Sequence, residues 1–136
     1  MNLITSIESF NFKLGGYFSS KYEVSFEKNF ITYIAQSSPL DIGLKYEKEI
    51  STESFEIFKS KLNELNLITW QNEYYSPALD AEEWHLDIKY NNSCIKNIEG
   101  MNGYPGNVSN IDDRTEIFNE LLLAIETLLQ EPAVFN

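Results

Sequence analysis

The chain has 136 residues, of which 43% are hydrophobic and 14% aromatic, so it can bury a core and does not have the composition of a disordered chain. Its formal net charge is −11, and residues 50–136 carry −10 of it, with fifteen acidic and five basic residues. Nucleic acid and anionic membrane are poor partners for such a chain, because both bind basic surfaces. The length predicts a single domain over residues 1–136.

Cysteine and histidine are too scarce for a disulfide framework or a zinc site of the usual type. Cys94 is the only cysteine and His85 the only histidine. The first eight residues lack the basic region and apolar core of a signal peptide, and no apolar run approaches membrane-spanning length. We therefore expect a cytoplasmic protein without a metal or cofactor.

The first half alternates apolar and polar residues, which is the period of strands with one buried face. Three segments show the pattern: Phe10 to Leu14, Tyr22 to Phe26, and Ile42 to Tyr46. Between the last two, Phe30 to Ala35 is a β-branched and aromatic run, which also favours a strand. Turn-forming residues separate the four segments at Gly15-Gly16, at Lys28-Asn29 and at Ser37-Ser38-Pro39. Four short strands with short connections predict an antiparallel meander.

The period changes to that of a helix after Ile50. Ser51 or Thr52 can cap this helix, and Asn66 can end it. Its apolar residues recur at three- and four-residue steps and form one stripe: Phe55, Phe58, Leu62 and Leu65.

A second strand region and a second helix follow. Trp84 to Tyr90 alternates most clearly, Asn91-Asn92 predicts a turn, and Cys94 to Ile98 would return as the partner strand. Gly100 to Ser109 has the composition of a loop. The last helix is expected to be capped by Asp113 with Glu116 as the other half of a capping box, and to stop at Pro132; its apolar face comprises Ile117, Phe118, Leu121, Leu122, Ile125, Leu128 and Leu129.

These elements predict an α+β fold. An antiparallel sheet of about six strands, a four-strand meander and a hairpin, would carry both helices on one face, because this arrangement buries every apolar stripe at once.

Residues that could act in catalysis or bind a metal are few, and they lack the partner residues that such sites need. His85 and Asp87 share a strand face, as a base and its orienting group would, but Ser76 and Ser93 are not in the strained turn of an activated nucleophile. The neighbouring acids Asp80, Glu82 and Glu83 do not have the spacing of an EF-hand. We expect a solvated strand face and a charged loop, with no catalytic residue and no metal ligand.

The aromatic residues between positions 70 and 104 divide into two groups. Trp84 and Tyr90 alternate with polar residues and are expected in the core, whereas Tyr74, Tyr75 and Tyr104 fall in predicted loops and are candidates for exposure. Exposed tyrosines stack on sugars or anchor protein interfaces.

One pattern resembles small, largely uncharacterised bacterial proteins. Its parts are Trp70, Tyr74-Tyr75 and Asp80, then Trp84-x-Leu86-x-Ile88-x-Tyr90, and finally Gly100-x-Asn102-x-Tyr104-Pro105. The likeness covers about residues 67–130, and Ala81 stands where the pattern has Gly after Asp. The resemblance implies a structural motif, made of a Trp anchor, a hairpin and a rigid loop, and it implies no activity for particular residues.

The favoured hypothesis is a non-enzymatic protein-binding domain, in its sharper form a bacterial immunity protein that neutralises a basic toxin. An acidic surface would attract such a partner and speed its arrival. The partner-binding residues predicted for this role are Tyr74, Tyr75, Asp80, Glu82, Glu83, Asp87 and Tyr104. The alternative is a small-molecule or carbohydrate-binding module built on the loop tyrosines, and a hydrolase using His85 and Asp87 ranks last.

Overall fold

The computed structural model describes residues 3–16, 21–36, 44–76, 82–106 and 114–129. These ranges contain seven strands and two α-helices. The strands are β1 (Ile7–Gly16), β2 (Lys21–Glu27), β3 (Phe30–Gln36), β4 (Leu44–Glu49), β5 (Glu73–Tyr75), β6 (Glu82–Tyr90) and β7 (Cys94–Met101). The helices are α1 (Thr52–Glu64) and α2 (Glu116–Leu129), and a short 3₁₀ helix (Leu67–Thr69) follows α1.

All seven strands belong to one sheet, in the order β4-β3-β2-β1-β6-β7-β5. Neighbouring strands are antiparallel except β5, which runs parallel to β7. The predicted α+β class and four-strand meander are confirmed. The sheet has seven strands where about six were expected, and it is mixed because β5 pairs in parallel with β7. The additional strand is β5, which has only three residues and shows no alternation that a sequence could reveal.

Both helices pack on the same face of the sheet. Phe10 stacks on Phe26 with ring centroids 5.4 Å apart, and Phe58 of α1 meets Phe10 edge-on at 5.3 Å. Phe118 of α2 contacts Phe12 at 6.3 Å and Trp84 at 4.8 Å. Because Phe10 and Phe12 lie two residues apart in β1, they share this inner face. The core therefore lies between the inner face and the two helices.

The helix ends show which capping expectations hold. The side chain of Ser51 accepts a hydrogen bond from the backbone N–H of Ser54 at 3.1 Å, as predicted for α1. Asp113 lies outside the described residues. At the start of α2, Thr115 Oγ1 accepts from the N–H of Phe118 at 3.1 Å, so the helix begins two residues later than predicted. The Thr115 hydroxyl also donates to the carbonyl of Pro105 at 2.6 Å, which fixes it in the capping position.

Two asparagines fasten the N-terminal segment to the rest of the fold. Asn63 of α1 bonds both backbone groups of Ile4, with its Oδ1 accepting at 2.8 Å and its Nδ2 donating at 3.0 Å. Asn91, in the β6–β7 turn, accepts from the backbone N–H of Thr5 at 2.7 Å and donates to the carbonyl of Leu3 at 2.9 Å. The φ angles of Asn91 and Asn92, 51° and 72°, confirm the predicted turn.

Candidate protein-binding surface

The face of the sheet opposite the helices, called the outer face below, presents the polar half of each alternating strand. In β6, for example, Trp84, Leu86 and Ile88 are buried while His85 and Asp87 between them are exposed. The register places Asp87 between Asn11 of β1 and Asn97 of β7. In the described part of the chain, both helices lie on the inner side, so the outer face is open to a partner.

The outer face is acidic. Among its described side chains there are eight carboxylates, Glu23, Glu27, Glu47, Glu49, Glu73, Glu83, Asp87 and Glu99. Three lysines accompany them, Lys13, Lys21 and Lys89. Glu73 and Glu99 are directly opposite each other in β5 and β7, a pairing of like charges that is unfavourable unless a cation binds nearby. The negative potential of this face would steer a basic molecule toward it.

A shallow trough of about 540 Å³ crosses the outer face from β3 to β7. Its floor is made of short polar side chains, including Asn11, Ser25 and Asn97. Two large apolar side chains stand at its ends, Phe30 of β3 with 59% of its surface exposed and Ile95 of β7 with 65%. They are separated by four strand spacings, or roughly 19 Å, so the trough combines a polar floor with apolar ends.

His85 lies on the outer face beside Glu99 and near Tyr75. Its Nδ1 is 3.8 Å from Glu99 Oε2, and both side chains are nearly half exposed. The Tyr75 hydroxyl donates a short hydrogen bond to Glu99, which is the main reason that the pKa of Tyr75 rises to about 12. In the described part of the chain no serine or cysteine is hydrogen-bonded to His85, so the described contact of its ring is with the Glu99 carboxylate.

The candidate residues from the sequence divide between the outer face and the interior. Tyr75, Glu83 and Asp87 are exposed on the outer face. Tyr74, on the inner side of β5, is half buried and stacks on Trp84 with centroids 6.0 Å apart. Its hydroxyl accepts from the N–H of Gln71 at 2.8 Å. Asp80 lies outside the described residues.

Tyr104 and Glu82 have internal partners. The prediction that Tyr104 is exposed is wrong, since only 7% of its surface is accessible. Its hydroxyl donates to Glu82 Oε1 at 2.8 Å, and Arg114 holds both oxygens of the same carboxylate at 2.9 and 2.6 Å. Burial, followed by the charge of Glu82, raises the pKa of Tyr104. This cluster ties β6 to the start of α2, and it leaves Glu82 little freedom to meet a partner.

The residues of the recurring pattern have structural roles in this chain. Trp84 is fully buried, as predicted, and its Nε1 donates to the carbonyl of Gly103 at 2.8 Å. Gly100 belongs to β7 and not to a loop, and a Cβ atom there would be 2.0 Å from Trp84 Nε1. Asn102 adopts a φ of 52°, and Tyr104 reaches back to Glu82. Trp84 thus packs against Gly100 and hydrogen-bonds the segment that follows β7.

Sequence reasoning missed the apolar ends of the trough. The sequence of residues 30–35 does not alternate and so does not specify a face for Phe30, and the return strand that contains Ile95 has no register in the sequence. The structure supplies both: Ile31 and Ile98 are buried, so Phe30 and Ile95, at odd offsets from them, point outward. Cys94 is also exposed, at the first position of β7.

Comparisons with known proteins provide no family assignment. No protein-family model matches the chain, and no curated protein matches its sequence. None of the helices in the described ranges has both the length and the apolar character needed to cross a bilayer. Among the same residues, no three His, Cys, Asp or Glu side chains converge in a way that could hold a metal ion.

Proposed function

We propose that the protein is a binding domain whose outer face recognises a basic protein, and in its sharper form an immunity protein that neutralises a basic toxin. The observation that carries the proposal is a sheet face that no described residue covers, with eight carboxylates and three lysines among its described side chains. A nuclease-type toxin needs a basic surface to bind nucleic acid, so an acidic inhibitor would cover the surface on which that activity depends.

The dimensions of the outer face suit a specific complex. Six strand spacings separate β4 from β5, or roughly 29 Å, and a seven-residue strand such as β2 is roughly 23 Å long. The face therefore measures about 650 Å², close to the ~800 Å² that each partner buries in a standard interface. Phe30 and Ile95 supply apolar anchors, and the surrounding charges form a polar rim of the kind such interfaces have.

The alternative, a sugar- or small-molecule-binding module, was based on three tyrosines predicted to be exposed, and most of them are not available to a ligand. Two of its three tyrosines, Tyr74 and Tyr104, pack against the protein's own residues. Tyr75 alone of the three is exposed. Stacking on a sugar ring needs an accessible aromatic face, and a single exposed ring makes a weak platform.

A capture experiment with matched charge variants tests the proposal. The full chain serves as bait in a lysate of its native host, at about 0.05 M and about 0.5 M salt. The outer-face variant Glu73→Gln/Glu83→Gln/Asp87→Asn removes three exposed carboxylates from β5 and β6. The control variant Glu53→Gln/Glu56→Gln/Glu64→Gln removes three from α1, on the other side of the molecule.

The proposal predicts that wild type and control capture the same basic protein, more of it at low salt, and that the outer-face variant captures much less. If the captured protein arrests growth, co-expression of the wild type should relieve the arrest and the outer-face variant should not. Equal capture by all three proteins, or no basic protein at either salt, would contradict the proposal.

A further inference from the structure

Phe30 stands on the outer face between two carboxylates. It is the first residue of β3, and the register pairs it with Glu27 of β2 on one side and with Glu49 of β4 on the other. Directly opposed residues on one face have Cβ atoms about 5 Å apart. The ring is 59% exposed and makes no ring contact with another described aromatic residue.

The backbone around this ring is well fixed. Lys28 and Asn29 form the tight turn between β2 and β3, with Lys28 at a φ of 59°. The N–H of Ile50, at the end of β4, donates to the carbonyl of Asn29 at 2.6 Å. The turn is therefore tied to the residue that follows β4, and this bond and the strand register fix the backbone positions of Glu27, Phe30 and Glu49.

None of the three side chains has a partner in the described part of the chain. Glu27 and Glu49 are exposed and form no hydrogen bond or ion pair there. Lys28, next to Glu27 in sequence, pairs with neither carboxylate among the described contacts. An exposed apolar ring flanked by two unneutralised carboxylates has an unfavourable environment in the free protein, which a cation with a flat apolar face would improve.

We propose that Phe30, Glu27 and Glu49 together receive an arginine of the partner protein. This inference rests on the proposed function and specifies one contact within it. The planar guanidinium would stack on the Phe30 ring while its N–H groups donate to the carboxylates on either side. A lysine presents a compact ammonium ion that cannot stack and donate in this way, so arginine is the preferred residue.

Two synthetic peptides probe the site without knowledge of the partner. Both are alanine-based helices of equal length and charge, one with arginines and the other with lysines at the same positions. The ¹⁵N-labelled full chain is titrated with each, and amide shift changes locate the binding. We expect the arginine peptide to shift residues 27–30 and 49 most, and to bind about 3- to 30-fold more tightly than the lysine peptide.

Two variants separate the ring from the charges. Phe30→Leu keeps an apolar side chain but removes the aromatic face, and it should reduce the preference for arginine to less than about 2-fold. Glu27→Gln/Glu49→Gln should weaken binding of both peptides. The control Glu53→Gln/Glu56→Gln, with the same charge change on α1, should bind both as the wild type does. Since Phe30 is exposed, Phe30→Leu should fold normally.

Three results would overturn the inference: no shifts at these residues with the arginine peptide at millimolar concentration, equal affinity for the two peptides, or an unchanged arginine preference in Phe30→Leu. The partner captured under the proposed function gives an independent check. If that partner is lost by Glu73→Gln/Glu83→Gln/Asp87→Asn but still bound by Phe30→Leu/Glu27→Gln/Glu49→Gln, the arginine site is wrong while the proposed function stands. If both variants bind it normally, the proposed function itself fails.

Discussion

Replacing Gly100 with alanine should remove much of the stability of the fold. A Cβ atom at this position would lie 2.0 Å from Trp84 Nε1, 2.5 Å from Trp84 Cε2 and 2.8 Å from the carbonyl oxygen of Gly103. These are impossible contacts, so the fully buried indole ring must move. Its Nε1–H would then leave the Gly103 carbonyl, to which it donates at 2.8 Å.

The two consequences set the size of the effect. Forcing an extra methyl group into a packed core costs about 1–3 kcal/mol. A buried donor or acceptor left without a partner adds about 1–3 kcal/mol. Gly100→Ala should therefore lower the free energy of unfolding by about 2–6 kcal/mol, measured by urea denaturation with circular dichroism as the signal.

A double-mutant cycle with Trp84→Phe tests the stated cause. Phenylalanine lacks the Nε1–H group and is smaller on the side that faces Gly100, so it makes room for the new methyl group. The double variant should then be more stable than the sum of the two single effects predicts, by at least about 1 kcal/mol. Strict additivity, or an unchanged denaturation midpoint for Gly100→Ala, would refute the packing described here.

Further predictions concern the internal hydrogen bonds. Glu82→Gln leaves Arg114 and Tyr104 with a neutral partner and should cost about 1–3 kcal/mol by urea denaturation; no change would show that the cluster contributes nothing. The pKa of Tyr104 is raised in the folded state, so above about pH 10 this tyrosine loses its proton more readily in the unfolded chain than in the folded one. The free energy of unfolding should therefore fall as the pH rises, and it should fall less in Tyr104→Phe. A fall of the same size in both proteins would contradict this. Asn63→Ala and Asn91→Ala should each raise hydrogen exchange at residues 3–6 and leave exchange in β2 unchanged, and equal protection in all three proteins would argue against the anchoring role.

The spacing of apolar residues predicts the long strands and helices of this fold, because each of these elements buries one face along its whole length. Alternation over five or more residues predicts three strands of the meander and β6, since each turns one face to the core, and the β-branched and aromatic composition of residues 30–35 predicts the remaining strand of the meander. The stripes of α1 and α2 were visible for the same reason. By contrast, β5 has only three residues, which are too few to show a period. Its pairing with β7 is therefore visible only in the structure.

The fate of the tyrosines shows why the site was harder to predict than the fold. Tyr104 follows a Gly/Asn-rich segment, which indicates a loop, and loops are normally exposed. In the structure its hydroxyl bonds Glu82, which is 22 residues away in sequence. Glu82 in turn bonds Arg114, which is 32 residues from it. Such long-range pairing leaves no local signal. The outer face was predictable in part, since alternation also specifies which residues point away from the core, but Phe30 and Ile31 are both apolar and only the structure shows which of them is exposed.

We propose that the outer face binds a basic protein through its negative charge. The most direct test is the dissociation constant of the captured partner for wild type and for Glu73→Gln/Glu83→Gln/Asp87→Asn, measured by calorimetry over a range of salt concentrations. We expect the variant to bind at least about 10-fold more weakly at low salt, with a dissociation constant that depends less on salt concentration. Equal dissociation constants and equal salt dependence for the two proteins would contradict it.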